Sequence, residues 1–190
     1  MVFLEPHGDR LVDVIANGER IVLRCENEEV GIRMPQGQGF GLRPVPMSTP
    51  WPAGFGWIGN PQLVLRVPSV AVMDLGVLAP PLRHHAAMPG GTNVNVVEVL
   101  APGEARVRSW ERGVEGETLC CGTGCAVAAA WLTQTEGIRA WRLHTEGGEC
   151  VKVELNLDED GKWQDLWLSG PVRRLGTVHP DPSLLLSLRH

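Results

Sequence analysis

The stretch that decides the fold runs from Ser109 to Ala130 and reads SWERGVEGETLCCGTGCAVAAA. It begins at the end of an alternating, strand-like segment and continues through a turn that carries two glycines. A Cys-Gly-Thr-Gly sequence then opens into an alanine-rich run that lacks helix breakers, which predicts a helix beginning near Thr123. The sequence therefore places Cys121 at the start of a helix.

A cysteine at a helix start has a distinct chemistry. The first turn of a helix presents backbone N–H groups without intrahelical partners and a partial positive charge, which suits a carboxylate or a phosphate. The same field favours a thiolate, so Cys121 is expected to react with alkylating reagents faster than Cys25 or Cys150. A small buried cysteine beside a tight turn would show the same residues, so the motif alone leaves both interpretations open.

Composition and charge narrow the class of protein. The chain has 190 residues, a hydrophobic share of 43% and a formal net charge of −5, which is typical of a globular protein and argues against a nucleic-acid partner. It contains no apolar run near the roughly 20 residues that span a bilayer, and its first residues do not resemble a secretory signal. We expect a cytoplasmic protein without a membrane partner.

The cysteines do not predict a disulfide framework or a metal site. There are five, and Cys121 and Cys125 have a spacing that lacks an accompanying histidine pair for zinc. Reduced thiols, at least one of them reactive, fit a reducing compartment.

The rest of the chain predicts mainly strands. Asn17-Gly18 and Asp160-Gly161 are hairpin signals, and Gly137 is a plausible helix C-cap. Pro80 and Pro81 limit a helix that starts at Asp74 to a short element. The predicted strands cover 11–15, 20–25, 30–34, 63–67, 94–100, 104–111, 140–144, 151–157 and 164–168; a Gly- and Pro-rich linker covers 35–52, an extended piece 172–178, and a short C-terminal helix 183–189.

Several segments in order resemble one family. Glu-Arg-Gly-x-x-Gly-Glu-Thr-x-x-Cys-Gly-Thr-Gly resembles the second catalytic motif of the diaminopimelate epimerases and related cofactor-independent amino-acid racemases. Gly59-Asn60-Pro61, Thr92-Asn93-Val94 and Leu168-Ser-Gly170-Pro171 resemble other motifs of that family. The resemblance covers roughly residues 11–178. It implies an α+β fold, a diaminopimelate-epimerase-like lobe of mostly antiparallel strands around one central helix.

The resemblance also implies roles for individual residues. Cys121 would exchange the α-proton, and the backbone N–H groups of Gly122 and Thr123 would bind the α-carboxylate. The side chains that would hold the remaining amino and carboxylate groups of the substrate are Asn60, Asn93, Glu111 and Arg112. The family implies no cofactor and no metal, and its partner is a small amino-acid substrate. A homodimer is left open.

The chain departs from the family in three ways. Complete enzymes have two similar lobes, each with a catalytic cysteine, and the first-lobe motif is not found in this sequence. Residues 1–40 are therefore interpreted as a remnant of the first lobe and residues 41–190 as the C-terminal lobe. Gln62 stands where the family has histidine, so that position can form hydrogen bonds but cannot relay a proton.

Three functional hypotheses follow. The first is an isomerase that converts L,L- to meso-diaminopimelate in lysine and peptidoglycan biosynthesis. The second is a catalytically incomplete module that binds an amino acid or carboxylate around Cys121. The third is a relative with another substrate, as in proline racemases or phenazine-biosynthesis proteins; Glu111-Arg112 favours the epimerase branch over the proline branch.

Overall fold

A computed structural model describes residues 10–16, 19–26, 28–36, 39–160, 162–173 and 175–176. The Asn17-Gly18 turn, Gly161 of the second hairpin signal, positions 174, 177 and 178 of the extended piece and the helix predicted at 183–189 lie outside these residues.

The described residues form twelve strands and two α-helices. The strands are β1 (Arg10–Ala16), β2 (Glu19–Glu26), β3 (Glu29–Arg33), β4 (Gly41–Arg43), β5 (Ala53–Trp57), β6 (Pro61–Arg66), β7 (Asn93–Ala101), β8 (Glu104–Glu111), β9 (Gly116–Thr118), β10 (Ala140–Thr145), β11 (Cys150–Leu157) and β12 (Trp163–Pro171). The helices are α1 (Leu75–Arg83) and α2 (Gly122–Glu136), with a 3-10 turn at Val70–Val72. In the described part of the chain, neither helix has the length and apolarity needed to cross a membrane.

All twelve strands belong to one sheet. The order is β1-β2-β3-β12-β11-β10-β8-β7-β6-β5-β4, and β9 pairs with β8. The pairs β6–β7 and β10–β8 are parallel, while the remaining pairs are antiparallel. The predicted fold class, an α+β lobe of mostly antiparallel strands around a central helix, is confirmed.

Helix α2 occupies the interior of the sheet. It contacts strands from both halves of the strand order, including β4, β5 and β6 on one side and β10, β11 and β12 on the other. Its residues from Gly124 to Thr133 are all buried, because the sheet surrounds the helix rather than packing on one face. A helix enclosed in this way needs small apolar residues on every side, which explains the alanine-rich run. The predicted C-cap Gly137 adopts φ 74° and ends the helix.

Two glycines of β5 let the helix approach the sheet. A Cβ added at Gly54 would lie 2.2 Å from Cγ of Trp131, and a Cβ at Gly56 would lie 2.7 Å from a methyl group of Val127. These distances are shorter than any van der Waals contact, so β5 presents bare backbone to the helix. The absence of side chains on this strand face is a packing requirement.

The other face of β6 and β7 packs against α1. Leu63 and Val94 are fully buried there with Leu75 and Ala79 of the helix. Asp74 caps α1 by accepting a hydrogen bond from the N–H of Val77 at 3.2 Å. The helix includes both prolines that were expected to limit it, because burial of its apolar face outweighs the lost backbone hydrogen bonds.

The predicted strands agree with the observed ones to within a few residues. The segment 35–52, expected to be an irregular linker, contains the short strand β4, and the glycine-rich strands β5 and β9 were not predicted. Strand β3 pairs with β12, so residues before position 40 share the sheet with the rest of the chain. The origin of residues 1–40 as a first-lobe remnant stays a prediction.

The close approach at Gly54 gives a stability prediction. Gly54→Ala should lower the free energy of unfolding by at least about 2 kcal/mol, because the new methyl group overlaps the Trp131 ring in a packed core. Urea unfolding followed by tryptophan fluorescence measures this. Gly170→Ala in β12 is the matched control, since its Cβ meets nothing within 4 Å, and should change stability by less than about 0.5 kcal/mol. Equal effects of the two substitutions would contradict the argument.

Candidate active site at the start of helix α2

Cys121 is the N-cap residue of α2. It has an extended backbone, φ −116° and ψ 101°, and its carbonyl oxygen accepts the first intrahelical hydrogen bond, from Cys125 N at 2.9 Å. Gly122 is the first helical residue. The predicted helix start, with Cys121 and Gly122 at its N-terminus, is confirmed.

The N–H groups of Gly122 and Thr123 precede that first hydrogen bond. Groups at this position have no intrahelical carbonyl to bind, and they point out of the helix end along its dipole. The Cys121 sulfur lies 3.5 Å from the Thr123 hydroxyl and 3.9 Å from Nε2 of Gln62. A carboxylate bound at the helix start would therefore lie next to the thiol.

Burial controls the protonation of Cys121. The residue is only 4% exposed, and this desolvation raises the pKa of its thiol above the ordinary value. The negative charge of Glu111 also raises the pKa of Cys121. Hydrogen bonds from the Thr123 side chain and from the N–H of Gly124 lower it. The expectation that the helix field would favour the Cys121 thiolate is wrong for the free chain, because burial outweighs these hydrogen bonds.

A buried polar network lies under the helix start. Nε2 of Gln62 donates to the Thr123 hydroxyl at 2.8 Å, and Oε1 of Gln62 accepts from Nδ2 of Asn95 at 2.9 Å. Ser109 donates its hydroxyl proton to Oδ1 of Asn95 at 2.7 Å. Gln62 and Asn95 are fully buried, so this network joins β6, β7 and β8 to the first turn of α2 without water.

Gly124 allows the first turn of α2 to lie close enough to Asn95 for this network to form. A Cβ at Gly124 would lie 2.2 Å from Oδ1 of Asn95, so a residue with a side chain there would displace either the helix or the amide. Sequence analysis identified Gly124 as part of the motif but assigned no role to Asn95 or Ser109. Their polar residue types on inward-facing strand positions were the available signal, since buried polar side chains require partners.

The structure brings most of the predicted substrate-binding residues to the same region. Asn60 accepts a hydrogen bond from Gln62 at 3.2 Å, and Glu111 accepts one from Thr118 at 2.6 Å. The backbone N–H of Arg112 donates to Oδ1 of Asn93 at 2.7 Å.

The Arg112 guanidinium is directed elsewhere. The side chain is exposed and donates to the Gly90 carbonyl at 3.2 Å. The substrate roles of Asn60, Asn93, Glu111 and Arg112 stay predictions.

Two other features lie apart from this region. A cavity of about 440 Å³ lies beside strands β2, β3, β10, β11 and β12, and none of the predicted site residues lines it. Two of its lining residues, Arg24 and Glu154, form an ion pair with each other. Within the described residues, no group of three or more His, Cys, Asp or Glu side chains is arranged to hold a metal ion.

The sheet closed around a helix with a cysteine at its start defines a class of fold. The same fold occurs in a probable proline racemase from Agrobacterium radiobacter, which superposes with a TM-score of 0.57 at 17% sequence identity. The superposition covers 96% of this chain and 63% of the racemase chain. A model of the family described as diaminopimelate epimerase matches residues 57–175, well over half of the sequence. The chain belongs to the diaminopimelate epimerase family.

Curated relatives give the extent of the match. A diaminopimelate epimerase from Thermosynechococcus vestitus is 50% identical over 124 residues, which is 60% of this chain and 40% of that protein. One from Ectopseudomonas mendocina is 39% identical over 119 residues, 62% of this chain and 41% of that protein. The matched part of the chain spans about 40% of the length of these relatives.

The buried network gives a second stability prediction. Asn95→Ala should lower the free energy of unfolding by about 2–3 kcal/mol, because it leaves the Gln62 carbonyl and the Ser109 hydroxyl buried without partners. Asn156→Ala on the exposed face of β11 is the control and should change stability by less than about 0.5 kcal/mol. Chemical unfolding of both variants measures the difference, and a near-neutral Asn95→Ala would show that the network contributes little.

The two adjacent cysteines should differ in reactivity. The pKa of Cys120 is lowered to about 7, chiefly by a hydrogen bond with the Cys125 side chain, and Cys120 is exposed. Its alkylation by iodoacetamide should therefore rise with pH to half its maximum near pH 7, while Cys121, buried and with a raised pKa, should stay slow at neutral pH. Mass spectrometry of a time course from pH 6 to 9 resolves the two sites. Equal rates at pH 7 would contradict this.

Proposed function

We propose that this chain carries the C-terminal, Cys121-bearing lobe of a cofactor-independent epimerase that acts at the α-carbon of diaminopimelate, between the L,L and meso isomers. The observation that carries the proposal is Cys121, a buried thiol at the first turn of α2, next to backbone N–H groups that suit a carboxylate. Membership of the family supports this reaction class, and the proposed roles are lysine and peptidoglycan biosynthesis in the cytoplasm.

The reaction needs a stabilised carbanion. An α-hydrogen of an amino acid is a very weak acid, and without a cofactor its removal depends on fixed donors around the carboxylate. The N–H groups of Gly122 and Thr123 would supply these donors. Their position is fixed before the substrate arrives, because Gln62 holds Thr123 and the sheet encloses the helix. Fixed donors of this kind do not need to reorganise during the reaction.

The protonation state of Cys121 suggests its part in the reaction. Inversion needs a base on one face of the α-carbon and an acid on the other. Burial favours the protonated thiol of Cys121, so Cys121 fits the role of the acid. When another group removes the α-proton from the opposite face, Cys121 would return a proton to the carbanion. In the reverse direction the same group would act as the base.

The remaining substrate groups would be held by polar residues around the thiol. Asn60 accepts a hydrogen bond from Gln62, and the negative charge of Glu111 acts on Cys121, so these two side chains would bind the amino group. Asn93 accepts a hydrogen bond from the backbone N–H of Arg112. The exposed Arg112 guanidinium would leave the Gly90 carbonyl and turn towards the site to bind the distal carboxylate.

A second thiol must reach the opposite face for inversion. The 190 residues carry a single Cys-Gly-Thr-Gly turn, so the partner group would come from outside them, and a second copy of the chain in a homodimer is one such arrangement. The alternative function is a carboxylate-binding module without turnover. Two observations favour that alternative: the raised pKa of Cys121, and Gln62, which has no titratable proton.

The test uses L,L-diaminopimelate in deuterium oxide. The purified 190-residue chain should catalyse slow loss of the α-proton that disappears in Cys121→Ala, because one thiol can remove a proton and return a deuteron to the same face. Conversion to the meso isomer should be lower than in a complete two-lobed epimerase by about 10²–10⁴-fold, the usual loss for one positioned acid or base. NMR follows the exchange and chiral chromatography follows the stereochemistry.

Two outcomes would change the assignment. Binding of diaminopimelate without any exchange dependent on Cys121 would support the binding module. Rapid, concentration-dependent formation of the meso isomer would contradict the prediction for the single chain and would support a homodimer that supplies the second thiol.

A further inference from the structure

The buried amide network under the start of α2 has a fixed direction. Nδ2 of Asn95 donates to the backbone carbonyl of Leu63 at 3.1 Å as well as to Oε1 of Gln62 at 2.9 Å. A carbonyl oxygen can only accept, so the contact with Leu63 defines which end of the Asn95 amide carries the N–H groups. Oδ1 of Asn95 is then free to accept the Ser109 hydroxyl at 2.7 Å. The donors of the network therefore point from Ser109 towards Gln62.

The amide of Gln62 continues this direction to the helix start. Its Oε1 accepts from Asn95, so its Nε2 faces α2. This nitrogen lies 2.8 Å from Oγ1 of Thr123, 3.2 Å from Oδ1 of Asn60 and 3.9 Å from Sγ of Cys121. An amide nitrogen has two hydrogens, and the two oxygens are its nearer acceptors. The Thr123 hydroxyl accepts from Gln62 and keeps its own hydrogen for the Cys121 sulfur, which lies 3.5 Å away.

We propose that the Thr123 hydroxyl donates a hydrogen bond to the thiolate of Cys121. Gln62 and Asn95 are positioning residues, because they keep this hydroxyl turned towards the sulfur. The catalytic part of this inference rests on the proposed function. When Cys121 gives its proton to the carbanion, a buried thiolate remains, and the Thr123 hydroxyl stabilises it. The same donor assists Cys121 as the base in the reverse direction.

A neutral donor is important here because the surroundings of Cys121 oppose its ionisation. The titratable side chains beside it are Glu111 of β8 and the thiols of Cys120 and Cys125, and each of these groups becomes negative when it ionises. Burial of the sulfur acts in the same direction. The largest effect that lowers the pKa of Cys121 is the hydrogen bond with the Thr123 side chain.

The network keeps its direction at every pH of interest. Gln62 and Asn95 are fully buried, and neither side chain ionises. A histidine at position 62 would titrate near neutral pH and could change from acceptor to donor. The glutamine therefore holds Thr123 in one orientation while Cys121 gains and loses its proton.

The test measures how the alkylation of Cys121 depends on pH in the free chain. Iodoacetamide rates from pH 7 to 11, resolved by mass spectrometry, give a plateau that reports accessibility and a midpoint that reports ionisation. Thr123→Val replaces the hydroxyl with a methyl group and should raise the midpoint by about one pH unit, because a hydrogen bond to an ionised group is stronger than one to a neutral thiol. An unchanged midpoint in Thr123→Val would overturn the proposal.

Two matched variants control for changes in packing. Thr123→Ser keeps the hydroxyl and should have the midpoint of the unmodified chain. Thr135→Val, in the last turn of the same helix, should also leave the midpoint unchanged. A purely structural effect of these substitutions would change the plateau and not the midpoint. Circular dichroism across the pH range checks that each variant is folded.

A double-variant cycle tests the positioning role of Gln62. Gln62→Met has a side chain of similar length without the amide, and it should raise the midpoint when the Thr123 hydroxyl is present. In the Thr123→Val background it should add little. Equal increments in the two backgrounds would show that Gln62 acts on the sulfur directly and would overturn its positioning role. If Gln62→Met does not fold, the Thr123 variants alone decide the proposal.

These measurements use no substrate, so they separate this inference from the proposed function. The shift in midpoint is expected whether or not the chain exchanges the α-proton of diaminopimelate. Where that exchange is observed, Thr123→Val should slow it and Thr123→Ser should retain it. Equal exchange rates in the two variants would overturn the catalytic part of the inference.

Discussion

The enclosure of α2 by a single sheet is the constraint on which the other features depend. A helix buried on every side cannot present a polar face, and it must be narrow enough for strands to approach from all directions. The run from Gly124 to Ala130 meets this requirement with small residues, and β5 meets it from the other side with Gly54 and Gly56. The helix is therefore held in one position by packing.

A fixed helix gives a fixed helix start. The first turn of α2 is attached to the sheet through Gln62 and Asn95, and Gly124 allows the contact to close. A buried amide network of this kind is stabilising only when every group has a partner, so it tolerates little displacement. Donors for a carboxylate are consequently in place in the free protein, which is the property that electrostatic stabilisation of a carbanion requires.

The position of each thiol relative to this turn sets its chemistry. Cys121 points into the protein, where burial raises its pKa and favours the protonated form. Cys120, one residue earlier, is exposed, and its pKa is lowered to about 7, chiefly by the Cys125 side chain. The two neighbouring cysteines therefore differ in both accessibility and ionisation. Their position at the helix start does not distinguish them; burial of Cys121 and the Cys125 side chain beside Cys120 do.

The sequence by itself determined nine of the twelve strands and the central helix from near Thr123 to Gly137, because periodicity and helix signals are local properties of the chain. The order of its motifs also indicated the α+β class and the family. The sequence also placed Cys121 at the helix start. Only the tertiary structure decided the protonation of that thiol and the role of Asn95. Desolvation and hydrogen-bond partners arise from residues that lie far apart in the chain, so neither spacing nor residue type could predict them.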